Sequence, residues 1–487
     1  MTRLAPIGTA SRAAGERGRE RFARRLYTAA WWLGLPFALG YLLWRARRQP
    51  DYLRRIGERL GRHPARKDRA PLIWLHAVSV GETRAAQPLV RALLDACPDH
   101  RLLLTHMTPT GLQTGAELFA DLRASGRLSQ AMLPWDYPFA LRAFLDAWRP
   151  AVGLLMETEL WPNLAAVCRE REVPLVLVNA RLSQRSLRKG QRWRWLMRPA
   201  LAGLAAVFAQ TEADAARIRS LGREVVEVPG NLKFDLAVPE SLEALGHAWR
   251  RALLTAPGDA HRPAVLAAST RDGEEALLLD AWCAWRASLG RTIDPVRPPP
   301  GMRWPPLLVI VPRHPQRFDQ VAAEIRHRGL ALIRRSEWGS GLPPAQARGV
   351  DVVLGDSMGE MFAYYALADA AIIGGTLLPF GGQNLIEACA MSVPAVVGPH
   401  TFNFEAAAAQ AIEEDAAVRV ADATEALFEA RSIVADPLRR ESAGERGRTF
   451  AARHRGATAR TVAALVPLLL PDPVSYAADW PDRPAGR

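Results

Sequence analysis

A chain of 487 residues exceeds what one hydrophobic core supports, so two domains are expected. With 49% hydrophobic and 23% charged residues it is a folded globular sequence, which excludes bulk disorder. The formal charge of +13 calls for an anionic partner, whether nucleic acid, acidic lipid or a phosphorylated substrate.

That charge is uneven. Residues 1–25 carry seven Arg against Glu16 and Glu20, and residues 45–70 carry ten Arg or Lys against Asp51, Glu58 and Asp68. The two stretches bracket residues 26–44, nineteen residues with no charge, close to the roughly twenty that cross a bilayer core. Trp31, Trp32, Tyr41 and Trp44 suit the interfacial zone. Basic flanks on both sides favour a helix dipping in from a face with anionic headgroups and disfavour nucleic acid. A cleaved signal peptide fits poorly, because Arg-Ala-Arg-Arg (45–48) stands where small residues should precede the cut. The reading is a basic tail (1–25) and a membrane anchor helix (26–48), with a buried core helix as the alternative. Pro36 and the symmetric charge leave open whether the helix spans the membrane or lies in it.

Apolar runs then alternate with helical stretches. Strands are expected at 72–80, 101–105, 151–156, 174–178 and 205–209, and a helix at 85–95. A second series follows at 264–268, 307–311, 351–354, 370–374 and 395–398, after a mostly helical connection over 236–262. Continuous apolar strands separated by helices indicate parallel sheets covered on both faces. The fold class is α/β, with doubly wound domains at 49–240 and 241–487, the latter including a C-terminal helix. The Pro-rich run 297–306 reads as a surface loop. Cys97, Cys168, Cys283 and Cys389 are far apart, with no metal-ligand spacing, so neither zinc nor a disulfide framework is expected.

In doubly wound sheets ligands bind at the carboxyl ends of the strands, so the informative residues should follow strands directly. Glu82, after the first strand, is placed to take a proton from an attacking hydroxyl or to complement a helix dipole. Glu157 and Glu159 follow another strand, and Lys233 lies in Gly-Asn-Leu-Lys-Phe-Asp (230–235), where it could neutralise charge on a leaving phosphate. His76, inside its strand, reads as a hydrogen-bonded core residue. In the second domain Ser-Thr-Arg-Asp-Gly-Glu-Glu (269–275) opens a helix whose N–H groups either meet an anion or are simply capped. Arg313 stands after a strand with a guanidinium suited to phosphate. Gly-Asp-Ser-Met-Gly-Glu-Met (355–361) has the same strand–turn–helix form. Two glycine pairs within 374–382 let backbone approach a phosphate, and the following helix carries Glu387 in reach of ribose hydroxyls.

Motif by motif the chain resembles the 3-deoxy-D-manno-octulosonic acid (Kdo) transferases of Gram-negative bacteria. The resemblance is carried by His-Ala-Val-Ser-Val-Gly-Glu-Thr (76–83), Met-Thr-Pro-Thr-Gly (107–111), Met-Glu-Thr-Glu-Leu-Trp-Pro-Asn (156–163), Asn-Ala-Arg-Leu-Ser (179–183), Leu-Lys-Phe-Asp (232–235), Val-Pro-Arg-His-Pro (311–315), residues 355–361 and Gly-Pro-His-Thr-Phe-Asn-Phe (398–404). It implies a GT-B fold, two Rossmann-like domains facing a cleft, and inverting transfer of Kdo from CMP-Kdo to lipid IV(A) on the cytoplasmic side of the inner membrane, among anionic lipids. It further implies Glu82 as proton acceptor and Glu157 and Lys233 as transition-state stabilisers. Pro312, Arg313, Met358, Gly359, Glu360, Asn384, Leu385, Ile386 and Glu387 are implied as CMP contacts. No cofactor or metal is expected. Arg271 and Asp272, and Gly-Gly-Gln-Asn-Leu (381–385), depart from the family pattern, which puts a role for the 269–270 loop in doubt.

Overall fold

The computed structural model describes residues 8–47, 49–235, 237–255, 261–289, 294–339 and 341–470, with side chains from residue 18 onward. Residues 1–7 of the basic tail, position 48, five residues of the connection (256–260) and the chain after 470 lie outside them. The chain divides into two compact units, Met1–Asp235 with Arg455–Arg487, and Leu236–His454.

The first unit holds a parallel sheet of β1 (Leu72–His76), β2 (Arg101–His106), β3 (Leu128–Met132), β4 (Val152–Met156), β5 (Leu175–Ala180) and β6 (Ala206–Ala209). Its order, β3-β2-β1-β4-β5-β6, reverses direction between β1 and β4, which makes that pair the topological switch point. Every residue of β1, β4 and β5 is buried, because helices cover both faces. Separate apolar cores fill the two sides, one around Trp74, Phe144 and Leu177 and the other around Ile73, Leu104 and Val176. The second core is completed by the C-terminal helix Ala457–Leu469, which inserts Leu465 and Leu469 against the helix Gln87–Ala96. The sequence reading grouped this helix with the second domain. Its apolar stripe fits the first sheet instead, and Asp235 caps its start by accepting the Gly456 N–H at 2.6 Å and the Thr458 N–H.

The second unit holds β7 (Ala264–Thr270), β8 (Leu307–Pro312), β9 (Leu332–Arg334), β10 (Val352–Leu354), β11 (Ala370–Ile373), β12 (Ala395–Val397) and β13 (Ala417–Arg419), all parallel. The order β13-β12-β11-β7-β8-β10-β9 places its switch point between β7 and β11. The helical connection is an integral part of this unit. Its helix Glu240–Leu254 buries Trp249 and packs on Met361–Leu367, and a Cβ at Gly246 would meet the Ala363 carbonyl oxygen at 2.2 Å.

The N-terminal helix runs unbroken from Gly8 to Ala46. One face lies on the first unit between Arg19 and Ala46. Tyr27 hydrogen-bonds the buried Asp136, Thr28 donates to Asn163 Oδ1 at 3.1 Å, Tyr137 donates to the Trp31 carbonyl at 2.8 Å, and Leu42 and Ala46 are buried with Tyr52 and Trp135. The opposite face carries Phe22, Leu26, Leu33, Phe37, Tyr41 and Trp44 in one exposed stripe at helical spacing. Leu33 is 78% and Phe37 80% exposed. The segment Gly18–Ala46 is long and apolar enough to cross a membrane.

Candidate active site

Glu82 is carried by the short helix Val80–Ala85 directly after β1. Ser79 is its N-cap, and the Glu82 carboxylate accepts the Val78 N–H at 2.8 Å and the Ser79 hydroxyl at 3.0 Å. This is a capping arrangement, and it also fixes the carboxylate at the switch point. Burial pushes its pKa up to about 8, assisted by the Glu157 carboxylate and opposed by the two hydrogen bonds.

Glu157 directly follows β4, the strand beside β1, with a left-handed backbone at φ 55°. Its Oε1 lies 2.7 Å from Lys233 Nζ, and both side chains are about six-sevenths buried, at 15% and 14% exposure. Lys233 reaches this point because buried Asn179, also left-handed at φ 52°, accepts the Leu232 N–H at 3.0 Å and Asn231 accepts the Lys233 N–H at 3.0 Å. Uncommon backbone conformations at the ends of adjacent strands are a recurrent feature of functional sites. Three residues distant in sequence, Glu82, Glu157 and Lys233, are thus brought to the carboxyl ends of adjacent strands, with a carboxyl of raised pKa beside a fixed ion pair. Glu159 is taken up by Trp161, whose indole N–H donates to it at 3.1 Å.

Histidine is the usual competitor for base chemistry, and two lie in these strands. His76 is buried, with Nδ1 bonded to Thr105 and Nε2 without a hydrogen-bond partner, so the expected core histidine is only half satisfied. Burial lowers its pKa to about 3 and that of His106 to about 4. Imidazoles so reluctant to take a proton make poor bases near neutrality, and Glu82 is the stronger candidate.

In the second unit the loops after β7, β8, β10 and β11 converge on the switch point. A Cβ at Gly374 would meet the Ser269 carbonyl oxygen at 2.4 Å, so only glycine allows the loop after β11 to pass the end of β7. The loop is held by Glu274, a fully buried carboxylate that sequence reasoning placed only at a helix start. It accepts N–H groups from Gly375 at 2.6 Å, Leu377 at 2.9 Å, Leu378 at 3.4 Å and Arg271 at 2.8 Å. Its neighbour Glu275 accepts the Thr270 hydroxyl at 2.7 Å and pairs with Arg317 at 2.7 Å. The two acids at this helix start therefore tie down the neighbouring loops, while among the described residues no side chain caps the helix Glu274–Ser288 itself.

Arg313 follows β8, its N–H donating to the Thr270 carbonyl at 2.9 Å, which sets it beside the 269–271 loop. Pro312, the last residue of β8, pairs in register with Thr270. Met358 is exposed and Gly359 is left-handed with open space around it. Glu360 accepts the Ser357 hydroxyl and pairs with Arg335 at 2.8 Å, and that guanidinium also lies over Trp249 and Trp338. Glu360 is thus part of the unit's own structure. Asn384 caps Leu385–Ala390 by accepting the Ile386 N–H at 3.2 Å, and its amide donates to Glu387 at 3.2 Å. Leu385 and Ile386 are 1% exposed, so their side chains belong to the core and not to a ligand surface. Among the described residues no group of three or more His, Cys, Asp or Glu is placed to hold a metal ion.

A family model described as 3-deoxy-D-manno-octulosonic-acid transferase (kdotransferase) matches residues 54–236. The chain is 48% identical over 411 residues to the 3-deoxy-D-manno-octulosonic acid transferase of Bordetella pertussis, covering 84% of this chain and 90% of that one. It is 32% identical over 454 residues to the transferase of the same name from Haemophilus influenzae, covering 92% and 99%. Among solved structures it is similar to a glycosyltransferase from Rickettsia africae, at TM-score 0.52 and 13% identity over 83% of this chain and all of that one. It is also similar to Staphylococcus aureus MnaA determined with UDP, at TM-score 0.52 and 13% identity over 82% and 97%. These two likenesses establish the GT-B fold alone. With nearly the full length of two transferases matched, the chain belongs to the 3-deoxy-D-manno-octulosonic acid transferase family and is a glycosyltransferase.

Proposed function

We propose that the enzyme transfers Kdo from CMP-Kdo to lipid IV(A), with inversion, at the cytoplasmic side of the inner membrane. The observation that carries this reading is the Glu82 carboxyl, raised to about 8, beside the Glu157–Lys233 pair at the switch point of the first unit. A lipid hydroxyl gives its proton to ionised Glu82 while its oxygen bonds to the anomeric carbon of Kdo. The bond from that carbon to the CMP phosphate oxygen breaks, and CMP leaves with the electron pair. One in-line displacement inverts the carbon. Lys233, held in place by Glu157, offsets negative charge as it develops. Arg313 contacts the CMP phosphate, Glu387 the ribose, and the turns at 358–360 and 384–386 supply main-chain contacts. Purified protein incubated with CMP-Kdo and lipid IV(A) should yield a product heavier by one Kdo unit or more by mass spectrometry. Release of free Kdo without any lipid product would overturn the acceptor assignment.

Arg313→Ala should weaken CMP binding about 10- to 100-fold, the effect of losing a charge-assisted phosphate contact. Glu82→Gln should leave CMP affinity within about twofold, since its role begins with the acceptor. Calorimetric titration with CMP separates the two, and equal losses would remove Arg313 from the donor site.

The N-terminal helix is proposed to lie in the membrane plane rather than to span it. It meets polar partners on the first unit at Tyr27 and Thr28 and apolar ones at Leu42 and Ala46. Those contacts are roughly 28 Å apart at 1.5 Å per residue, about the thickness of the hydrocarbon core. A spanning orientation would carry Asp136 and Asn163 into lipid. Truncation is a blunt test, because it also uncovers Trp135, Tyr137 and Asp136. Leu33→Asp/Phe37→Asp changes only the exposed stripe, and each side chain withdraws roughly 1.5–3 kcal/mol of burial. Vesicle binding should fall at least a hundredfold with melting temperature unchanged. Undiminished binding would place attachment elsewhere.

A further inference from the structure

The first unit carries a second surface feature beside the exposed stripe, built by three helices. The N-terminal helix, the helix Pro162–Glu170 and the helix Arg194–Ala202 enclose a surface pocket of 470 Å³, within the range of small-ligand sites. Arg21, Arg24 and Arg169 line it, with Trp195 on the far wall. Among the described residues none of the three guanidinium groups makes an ion pair. The pocket's acidic members are Glu20 and Glu170, and Glu170 is already held by Arg142 through bonds of 2.9 and 3.0 Å. Burial, and next the charge of Arg169, hold the Arg24 pKa below its ordinary value, as expected of a cationic cluster short of counter-charge.

The surroundings indicate which anion fits. Phe22 and Leu26, near Arg21 and Arg24 on the same helix, are 63% and 57% exposed, Trp195 on the opposite wall is 47% exposed, and Trp193, just before that wall's helix, is 59% exposed. Residues 181–198 contain seven Arg or Lys and no Asp or Glu. Cations interleaved with exposed tryptophans are the composition of a helix lying on an anionic membrane. Arg194 lies over the Trp195 ring at 4.9 Å, which keeps that ring flanked by charge.

We propose that the pocket bounded by Arg21, Arg24 and Arg169 takes the phosphate of a membrane-lipid headgroup. The inference rests on the in-plane attachment reading above. Planar guanidinium groups suit bidentate phosphate contact, which distinguishes a pocket from a diffuse basic surface.

The test is binding of the full chain to phosphatidylcholine vesicles with and without phosphatidylglycerol. Arg21 and Arg169 are exposed, so Arg21→Gln/Arg169→Gln should fold normally, as melting temperature will report. The wild type should prefer phosphatidylglycerol vesicles, and this variant should lose that preference by about tenfold or more. Arg21→Lys/Arg169→Lys keeps the charge but not the fork, and it should lose most of the preference too. Full preference in the Lys variant would overturn the pocket in favour of diffuse charge, as would an equal loss in Arg188→Gln/Lys189→Gln. Wild type bound equally to both vesicles overturns the pocket but not attachment, whereas no binding to either overturns both. The source of the phosphate is read from the lipid acceptor's KM in neutral detergent. A raised KM in Arg21→Gln/Arg169→Gln assigns the pocket to the acceptor's own phosphate, and an unchanged KM assigns it to bulk phospholipid.

Discussion

Replacing Glu82 with glutamine should lower turnover by about 10² to 10⁴, the usual cost of losing a general base. The pH dependence makes the test specific. With the Glu82 carboxyl pushed up to about 8 by burial, turnover should climb as pH rises toward 8 and level above it. Glu82→Gln should flatten that limb. Glu157→Gln removes a charge that helps hold the Glu82 pKa up, so it should move the limb to lower pH while also reducing the plateau. Stability provides a second readout. A carboxyl whose folded pKa is raised from an ordinary 4.5 to about 8 binds its proton more tightly in the fold, so its stabilising contribution is complete below 4.5. It is lost as pH rises through 8. The wild type should therefore lose stability across that window relative to Glu82→Gln. Full turnover in the glutamine variant would sink the assignment.

The second large effect is expected at Glu274. Alanine there leaves the N–H groups of Gly375, Leu377 and Leu378 without their acceptor in a dry site, along with that of Arg271. At about 1–3 kcal/mol for each buried orphan, with partial relaxation, the cost should be about 3–5 kcal/mol in urea unfolding. CMP affinity should fall as well, because the loop after β11 loses the tie that shapes it. Both carboxylate oxygens accept, so glutamine would turn its NH₂ toward donors and should recover only part of the loss. A glutamine variant as stable as wild type would show that one oxygen suffices.

Glu274 illustrates why the sequence was legible in some places and opaque in others. Its position at a helix start is visible in Ser-Thr-Arg-Asp-Gly-Glu-Glu, but its partners are a hundred residues away, and no local pattern announces them. Ten strands were readable because their apolar runs are continuous. The three that were not, β3, β9 and β13, are all at sheet edges, where Leu-Ser-Gln-Ala-Met or a three-residue run suffices. Glu82, Glu157 and Lys233 could each be placed after a strand, yet their meeting depends on β1 and β4 being neighbours. That adjacency is a property of topology. The anchor segment had low contrast for a different reason. Both of its faces are apolar, one packed on the first unit and one exposed, so helical periodicity could not tell them apart.

The return of the chain to its first unit has a consequence for biogenesis. Ala457–Leu469 covers the helix Gln87–Ala96 and the sheet beneath it, so the first unit lacks a wall until the last helix is made. Leu236–His454, by contrast, is one uninterrupted stretch. On the ribosome the second unit has all its residues first, although it begins second. The first unit must wait, with part of its core bare, until the chain has been made beyond the second.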